Sequence, residues 1–447
     1  MTRTDVHSHK PPKQWRVNFV TLLSGIGFGV VLGGSLVTLL PGVTGKGGVA
    51  NAVGSTAAMV GTYLCLMLLV LISRISWLER EAGHDRMVLW HRTLGPYSLV
   101  LIAIHVFFTT LGYAQSAGKS IPGQLWAFIT TYGWMLPATV GFVLMVALGF
   151  ASHKLARRRM KYETWWTAHL YFYIAIALAF GHQINTSILF VQHPLLKQFW
   201  ISLYIFVAAT ILLNRVMLPI WLSLRSGLTV KDVFEESPGI VNVVISGRNL
   251  ERFNAAGGQF FQWRFLTPQW WWQAHPYSLS KKPDSNELRI TVKRLGDQSS
   301  ALLQELKPGT RVIAEGPYGV FTAKQRHGNE VTAFAAGIGI TPIRAMLDEL
   351  PIEASATLLY RVASEASAPL KSELESLALE KNINLVFLAG TRVDHPMTLE
   401  YIQQFAPNIA DSDIYVCGPH TFMDEVIRFA ISAGVPTNRI HHESFAF

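Results

Sequence analysis

Between residues 18 and 222 the chain is apolar in six long stretches: 18–40, 57–77, 89–112, 132–151, 165–190 and 198–222. A helix that crosses the hydrocarbon core of a bilayer needs about 20 predominantly apolar residues. Backbone polar groups in lipid must be satisfied internally, so stretches of this length are expected to be helices. The first lacks a small-residue cleavage site after a short apolar core, and is expected to be a retained helix rather than a signal peptide. Half of the 447 residues are hydrophobic and only 15% are charged. The apolar excess lies in this first half; from about 226 onward the chain reads as globular protein. At this length two or three domains are expected.

Loop charges orient the spans. Arg3, Lys10, Lys13 and Arg16 precede the first stretch, and Arg74, Arg80, Arg86 and Arg92 follow the second. Lys154, Arg157, Arg158, Arg159 and Lys161 follow the fourth, whereas the alternate loops carry only Lys46, Lys119 and Lys197. The positive-inside preference then puts both termini in the cytoplasm. Basic loops facing an anionic leaflet also account for the net charge of +9 without nucleic acid. The two cysteines, Cys65 and Cys417, make no disulfide framework and are too few for a four-thiolate iron–sulfur cluster.

Of fifteen histidines, four fall well inside the spans: His91 and His105 in the third, His169 and His182 in the fifth. An ionisable side chain at that depth is costly and usually functional. The two spans run in the same direction, so His91 and His169 lie toward the cytoplasm and His105 and His182 further out. Within each span the two histidines are about 20 Å apart along the helix. Neutral imidazole is a common axial ligand of haem iron. Two helices that each offer one histidine at two depths have what two stacked b-type haems require. The spacing of fourteen residues keeps His91 and His105 on one face, but thirteen residues turn His182 about 140° from His169. Span five is therefore expected either to tighten toward 3₁₀ geometry or to meet one haem obliquely.

In the second half, runs such as "GIVNVVIS" and "ELRITVKRL" read as strands of a small antiparallel barrel. After about 330, strands alternate with helices in a doubly wound nucleotide-binding layout. In "AAGIGITPIRAM", Gly337 and Gly339 allow close approach of a pyrophosphate, and Thr341 and Pro342 open the following helix. Cys417, Gly418 and Pro419 end a later strand at the same sheet edge. In "AHPYSLS", Tyr277 offers an aromatic face and Ser278 a hydroxyl suited to a flavin; "KRLGDQSS" offers a turn with Gly296, Ser299 and Ser300 suited to a diphosphate. Trp270, Trp271 and Trp272 precede this motif, either as core and surface or as a membrane-boundary anchor.

The order of "GGQFFQW", "HPYSLS", "GDQSS", "EGPYG", "GIGITP", "CGP" and "ESFAF" resembles the ferredoxin–NADP reductase-like flavoprotein module. Fused after six spans with paired histidines, it is similar to the ferric reductase and NADPH oxidase superfamily, in a bacterial-type form. The resemblance implies a cytoplasmic tail over 1–17, a six-helix haem-binding membrane bundle over 18–225, a β-barrel FAD domain over 226–325 and an α/β NAD(P)-binding domain over 326–447. It implies that Tyr277 stacks on FAD, that Ser278 bonds near the reactive nitrogen, and that His275 and Pro276 stand beside the FAD phosphates where an arginine is usual. Gly296, Ser299 and Ser300 would continue the diphosphate site. Gly337, Gly339, Thr341, Pro342, Gly418 and Pro419 would hold the nicotinamide cofactor, with Cys417 near its ring. Glu443 and Phe445 would complete the reactive centre, Phe445 or Phe447 covering the flavin. Arg361 is either a partner for an NADP 2′-phosphate or a solvated arginine.

The implied function is transmembrane electron transfer from NADPH or NADH, through FAD and two haems, to a small acceptor outside. The acceptor is a ferric chelate or, alternatively, dioxygen reduced to superoxide. A channel or transporter with a nucleotide-sensing domain is the competing class, and leaves the histidine pairs unexplained. The lipid bilayer is the expected environment; neither a nucleic acid nor an obligate protein partner is expected.

Overall fold

The computed structural model describes residues 15–157, 159–160, 162–294 and 296–443. Arg3, Lys10, Lys13, Arg158 and Lys161 of the charge pattern, and Phe445 and Phe447 of the terminal motif, lie outside the described residues. The chain divides into two compact units. One comprises Trp15–Arg74 and Arg86–Leu212; the other is built mainly from the residues after Leu212, with Ile75–Asp85.

The first unit is helical. Among the described residues, five helices are long and apolar enough to cross a membrane: Asn18–Gly42, Gly48–Leu71, Arg86–Ala117, Met135–Ser152 and Pro194–Ser226. The expected fifth span, 165–190, forms the helix Tyr162–Thr186 but is not among them. His169, His182, Gln183 and Asn185 lower its mean hydropathy, although its length suffices. This helix is α-helical throughout. Of the two alternatives for His169 and His182, tightening toward 3₁₀ geometry does not occur. The last apolar stretch passes through a π-helical turn at Leu212–Met217, just before Pro219, whose missing N–H leaves the preceding turn short of a donor.

Small residues set how closely these helices pack. A Cβ on Gly61 would lie 2.9 Å from the Leu101 Cβ, and one on Gly54 would lie 2.7 Å from the Thr109 backbone nitrogen. A Cβ on Gly112 would stand 2.8 Å from the Asn51 nitrogen. Gly48–Leu71 and His84–Ala117 therefore touch backbone to backbone, as membrane helices do where lipid gives no hydrophobic drive to associate. Gly141 lets the Met135–Ser152 helix approach the Ala175 carbonyl of Tyr162–Thr186 in the same way. Leu66, Met145, Ala175 and Val207 fill the space between them.

The second unit begins with two three-stranded antiparallel sheets. β1 (Thr229–Ser237), β2 (Ile240–Ser246) and β5 (Glu287–Lys293) form one; β3 (Phe260–Phe265), β4 (His275–Ser278) and β6 (Val312–Tyr318) form the other. Isolated bridges at Thr229–Arg311 and Leu279–Ile290 connect them where the sequence suggested a barrel. Alternation along the strands turns Val243, Ile245, Phe261, Trp263, Phe265 and Ile290 into the shared core. Of the three tryptophans, Trp270 is buried, while Trp271 and Trp272 are exposed in a turn.

A five-stranded parallel sheet follows: β7 (Glu330–Ala336), β8 (Ser355–Val362), β9 (Asn384–Ala389), β10 (Asp413–Cys417) and β11 (Ile440–Glu443), in the order β11-β10-β7-β8-β9. β8 and β9 extend the sheet on one side of β7, and β10 and β11 on the other, so the winding reverses between β7 and β10. A crevice at the carboxyl ends of strands is expected at such a switch point.

Replacing Gly61 by Val is expected to lower the stability of the helical unit by about 1–3 kcal/mol, as overpacking does. Thermal unfolding in detergent measures this, with exposed Gly25→Val, which meets no neighbour within 4 Å, unchanged as the control.

Candidate functional site

The four histidines of the helical unit come together in two pairs. The rings of His91 and His169 have centroids 6.1 Å apart with planes at 69°; those of His105 and His182 are 6.4 Å apart at 25°. The different inclinations show how the phase mismatch is met. The helix stays regular, and its two histidines reach their partners from different azimuths. His91 Nδ1 lies 3.2 Å from the Leu68 carbonyl, and His105 Nδ1 lies 3.0 Å from that of Gly54. A carbonyl only accepts, so each Nδ1 carries the proton and donates it, leaving the Nε2 lone pair free. Thr109 Oγ1 stands 3.1 Å from the same His105 nitrogen. His169 Nδ1 meets Ser152 Oγ at 3.1 Å, and its ring packs beside Trp165. Sequence reasoning missed Leu68, Gly54, Thr109 and Ser152. Gly54 and Gly61, seven residues apart on one helical face, were the available signal; a backbone carbonyl leaves none.

In the β-sheet domain, β4 carries His275, Pro276, Tyr277 and Ser278. Residues two apart share a strand face, and the rings of His275 and Tyr277 stack with centroids 6.2 Å apart and planes at 6°. Trp263 Nε1 donates to the Tyr277 carbonyl at 3.0 Å and ties β3 to β4 at this point. Ser278 Oγ and His275 Nε2 are buried without a hydrogen-bond partner. Buried polar atoms of this kind are rare in a finished core and suit a site that receives a polar ligand. Burial pushes the Tyr277 hydroxyl up to about 12, so it stays a phenol. Burial, with Arg264 nearby, pulls His275 down to about 4, so the imidazole is neutral at pH 7 and offers a hydrogen bond rather than a charge. Arg264 is held 3.1 Å from buried Glu315, which also accepts from Tyr318 at 2.9 Å. Gly296, Ser299 and Ser300 form the first turn of the helix Gly296–Glu305, not a free turn. The helix start at Gly296 still presents backbone N–H groups.

At the switch point, Gly337 adopts φ +55°, a left-handed conformation that favours glycine. A Cβ on Gly339 would stand 2.5 Å from the Cys417 carbonyl oxygen, so the turn after β7 lies directly against the end of β10. Thr341 Oγ1 donates to the Ile338 carbonyl at 3.1 Å and Tyr360 donates to that of Gly337 at 3.0 Å, which holds the turn from both sides. Pro342 is buried in the helix Ile340–Asp348 that follows. Cys417 is fully buried, its thiol pushed well up by burial and then by Glu443, and Sγ donates to the Glu443 carbonyl at 3.7 Å. It is a protonated thiol. Glu443 pairs with Cys417 in the β10–β11 register. Gly418 sits against Ala336, and Pro419 caps the helix His420–Ser432.

Arg361 is not the solvated arginine of the alternative reading. Its side chain is 12% exposed, bonds to the His395 carbonyl and lies 4.0 Å from Glu425, which also faces Arg392 at 3.8 Å. Its Nε and Nη1 have no hydrogen-bond partner. The sequence offered no hint of His395, Glu425 or Arg392, which reach this place from other loops.

Comparison with known proteins agrees with this layout. The chain matches the ferric reductase like transmembrane component family over residues 57–180, an FAD-binding domain family over 236–322 and the oxidoreductase NAD-binding domain family over 334–428. The chain thus carries a ferric reductase like transmembrane domain followed by FAD-binding and NAD-binding domains. Its three domains, in this order, have the architecture of the ferric reductase and NADPH oxidase superfamily. Among curated relatives, the ferredoxin reductase component of 3-ketosteroid-9-alpha-monooxygenase from Rhodococcus rhodochrous is 28% identical over 226 residues, covering 49% of this chain and 64% of that protein. The flavohemoprotein of Vibrio cholerae is 30% identical over 180 residues, covering 38% and 45%. The chain thus spans less than two-thirds of either relative. The crystal structure of the FAD/NAD-binding domain of nitric oxide dioxygenase from Vibrio cholerae aligns at TM-score 0.41 and 24% identity, over 49% of this chain and 98% of that one.

The depressed pKa of His275 makes a signed prediction. As pH falls below 6.5 the unfolded chain takes up a proton that the folded chain refuses until about 4. The stability contribution is therefore whole above 6.5 and is lost down to about 4, about 3 kcal/mol in all. Thermal midpoints across this window are expected to fall less steeply in His275→Gln than in the parent.

Proposed function

We propose that the protein carries electrons across the membrane, from NAD(P)H in the cytoplasm to a ferric chelate on the outer side. The observation that carries this reading is the pairing of four membrane histidines two by two. Two metal–nitrogen bonds of about 2 Å and two imidazole radii of about 1.1 Å sum to about 6.2 Å, close to both ring separations. Nδ1 of His91 and of His105 is committed to a carbonyl, so the nitrogen left for a metal is Nε2, and the ring is already oriented. His91 and His169 would hold one b-type haem, His105 and His182 the second. Haem held by these pairs would supply one-electron sites from which an external acceptor could be reduced.

When bound, FAD supplies the conversion of a two-electron hydride donor to single-electron steps, and haem supplies one-electron sites. The chain's own residues bind and orient. Tyr277 offers a neutral aromatic face and Ser278 a free hydroxyl to the flavin, with His275 and the helix start at Gly296, Ser299 and Ser300 toward its phosphates. Gly337 and Gly339 admit the pyrophosphate of the nicotinamide cofactor; Cys417, a neutral thiol, and Glu443 border its ring. Arg361 would receive the 2′-phosphate that distinguishes NADPH. Loop charges support cytoplasmic termini and six spans, counting Tyr162–Thr186 as the one whose apolar content its ligands reduce.

Purified protein is expected to show a low-spin b-type haem spectrum reducible by NADPH, and His105→Ala to lose about half of that absorbance together with outward electron transfer. Reduction of a ferric chelate and of oxygen, assayed side by side with and without superoxide dismutase, decides the acceptor. Ferric reduction abolished by the dismutase would mean that superoxide is the product and that the ferric reading is wrong.

Arg361→Ala is expected to raise the KM for NADPH about tenfold or more and leave that for NADH unchanged. A charge-assisted bond to phosphate contributes about 1.5–3 kcal/mol. Equal effects on both cofactors would remove Arg361 from the 2′-phosphate.

A further inference from the structure

At the amino edge of the parallel sheet, opposite the glycine turns, three ligand-type side chains converge. His327 precedes β7, Asp413 begins β10 and His441 lies in β11. One ligand atom of each lies within 4.8 Å of the other two. Asp413 is fully buried, and its two oxygens have different surroundings. Oδ2 accepts the backbone N–H groups of His327 and Gly328, each at 2.9 Å, with Arg439 Nη2 3.5 Å away. Oδ1 faces His327 Nδ1 at 3.3 Å and His441 Nε2 at 3.2 Å.

We propose that His327, Asp413 and His441 bind one divalent transition-metal ion of the zinc class. In tetrahedral zinc, bonds of about 2.0–2.1 Å hold neighbouring ligand atoms about 3.3 Å apart. Both imidazole nitrogens already stand at that distance from Oδ1, and only their mutual approach has to close. Two imidazoles and one carboxylate, with no thiolate and no ring of oxygens, suit zinc, cobalt, nickel or copper rather than calcium or magnesium.

The surroundings are arranged as metal ligands require. The two backbone N–H groups on Oδ2 anchor the carboxylate and present Oδ1 alone. The Tyr415 ring lies against His441, with centroids 4.5 Å apart at 28°, and fixes its plane. Arg439 stands 3.5 Å from Oδ2, where it offsets the carboxylate charge, and a guanidinium does not compete as a ligand. The side chains of His327 and His441 are 26% and 13% exposed, which leaves an entry path and room for water as a fourth ligand. An ion here would join the starts of three adjacent strands, β7, β10 and β11. It lies about 13 Å along β10 from Cys417. Its effect is on the stability of the sheet, not on the redox site.

The test uses the full-length purified protein, treated with a chelator and dialysed against micromolar zinc, with bound metal and flavin counted by mass spectrometry and absorbance. The parent is expected to hold one more zinc per chain than the His327→Ala/His441→Ala double variant at equal flavin content. Zinc should raise the thermal midpoint of the parent only. Equal zinc uptake by the two proteins overturns the proposal. Should the double variant lose its flavin through misfolding, X-ray absorption of the parent with one equivalent of zinc decides. A shell of two imidazoles and oxygen donors sustains the site, and any other shell overturns it.

Discussion

A neutral imidazole placed among apolar helices has one N–H to satisfy, and in this chain a backbone carbonyl of the neighbouring helix satisfies it. Leu68 accepts from His91 and Gly54 from His105. Both acceptors already serve their own helix, and a carbonyl's second lone pair makes the extra bond possible. The contact demands that two backbones come close, which the glycines at 54, 61 and 112 permit. Close packing, tautomer and ring direction are therefore one constraint. A side chain at Gly61 and a lost proton donor at His105 would disturb the same arrangement from opposite ends.

The soluble unit solves a different problem, that of presenting polar atoms without a polar core. Its two antiparallel sheets bury aromatic and branched residues between them, and leave Ser278 Oγ and His275 Nε2 without partners. The parallel sheet reverses its winding between β7 and β10, and there two backbone turns meet so closely that Gly339 has no room for a Cβ. Charges are kept back from both places. His275 is neutral, Cys417 is a thiol, and Arg264 is absorbed by Glu315. Cofactors that carry their own charge and chemistry are what such a frame accommodates.

Much of this was legible in the residues themselves. Hydropathy over about 20 residues marks a span, and His91, His105, His169 and His182 stood out as the histidines falling inside spans. The strand ends at Ala336 and Cys417 were legible from apolar runs stopped by glycine. Other features were read less well, each for a physical reason. Tyr162–Thr186 is less apolar than a typical span because it carries the histidines and their polar neighbours. Helical phase counted along a straight axis left either a tightening of the helix or an oblique approach to one haem, and the helix stays regular. "GDQSS" looked like a turn because Gly, Asp and Ser favour both turns and helix starts, and only the packing of the following Leu302 and Leu303 selects the helix.

The sequence by itself determined the membrane and soluble halves, the depths of the histidines along their helices and the glycine turns, because hydropathy and periodicity are local properties of neighbouring residues. It could not determine which carbonyl each imidazole would meet, that Arg361 would be enclosed by Glu425 and His395, or that His327, Asp413 and His441 would converge. Those depend on which helices and strands lie side by side. That choice is made by the summed packing of the whole unit, where one missing Cβ at Gly54 or Gly339 decides how near two backbones can come.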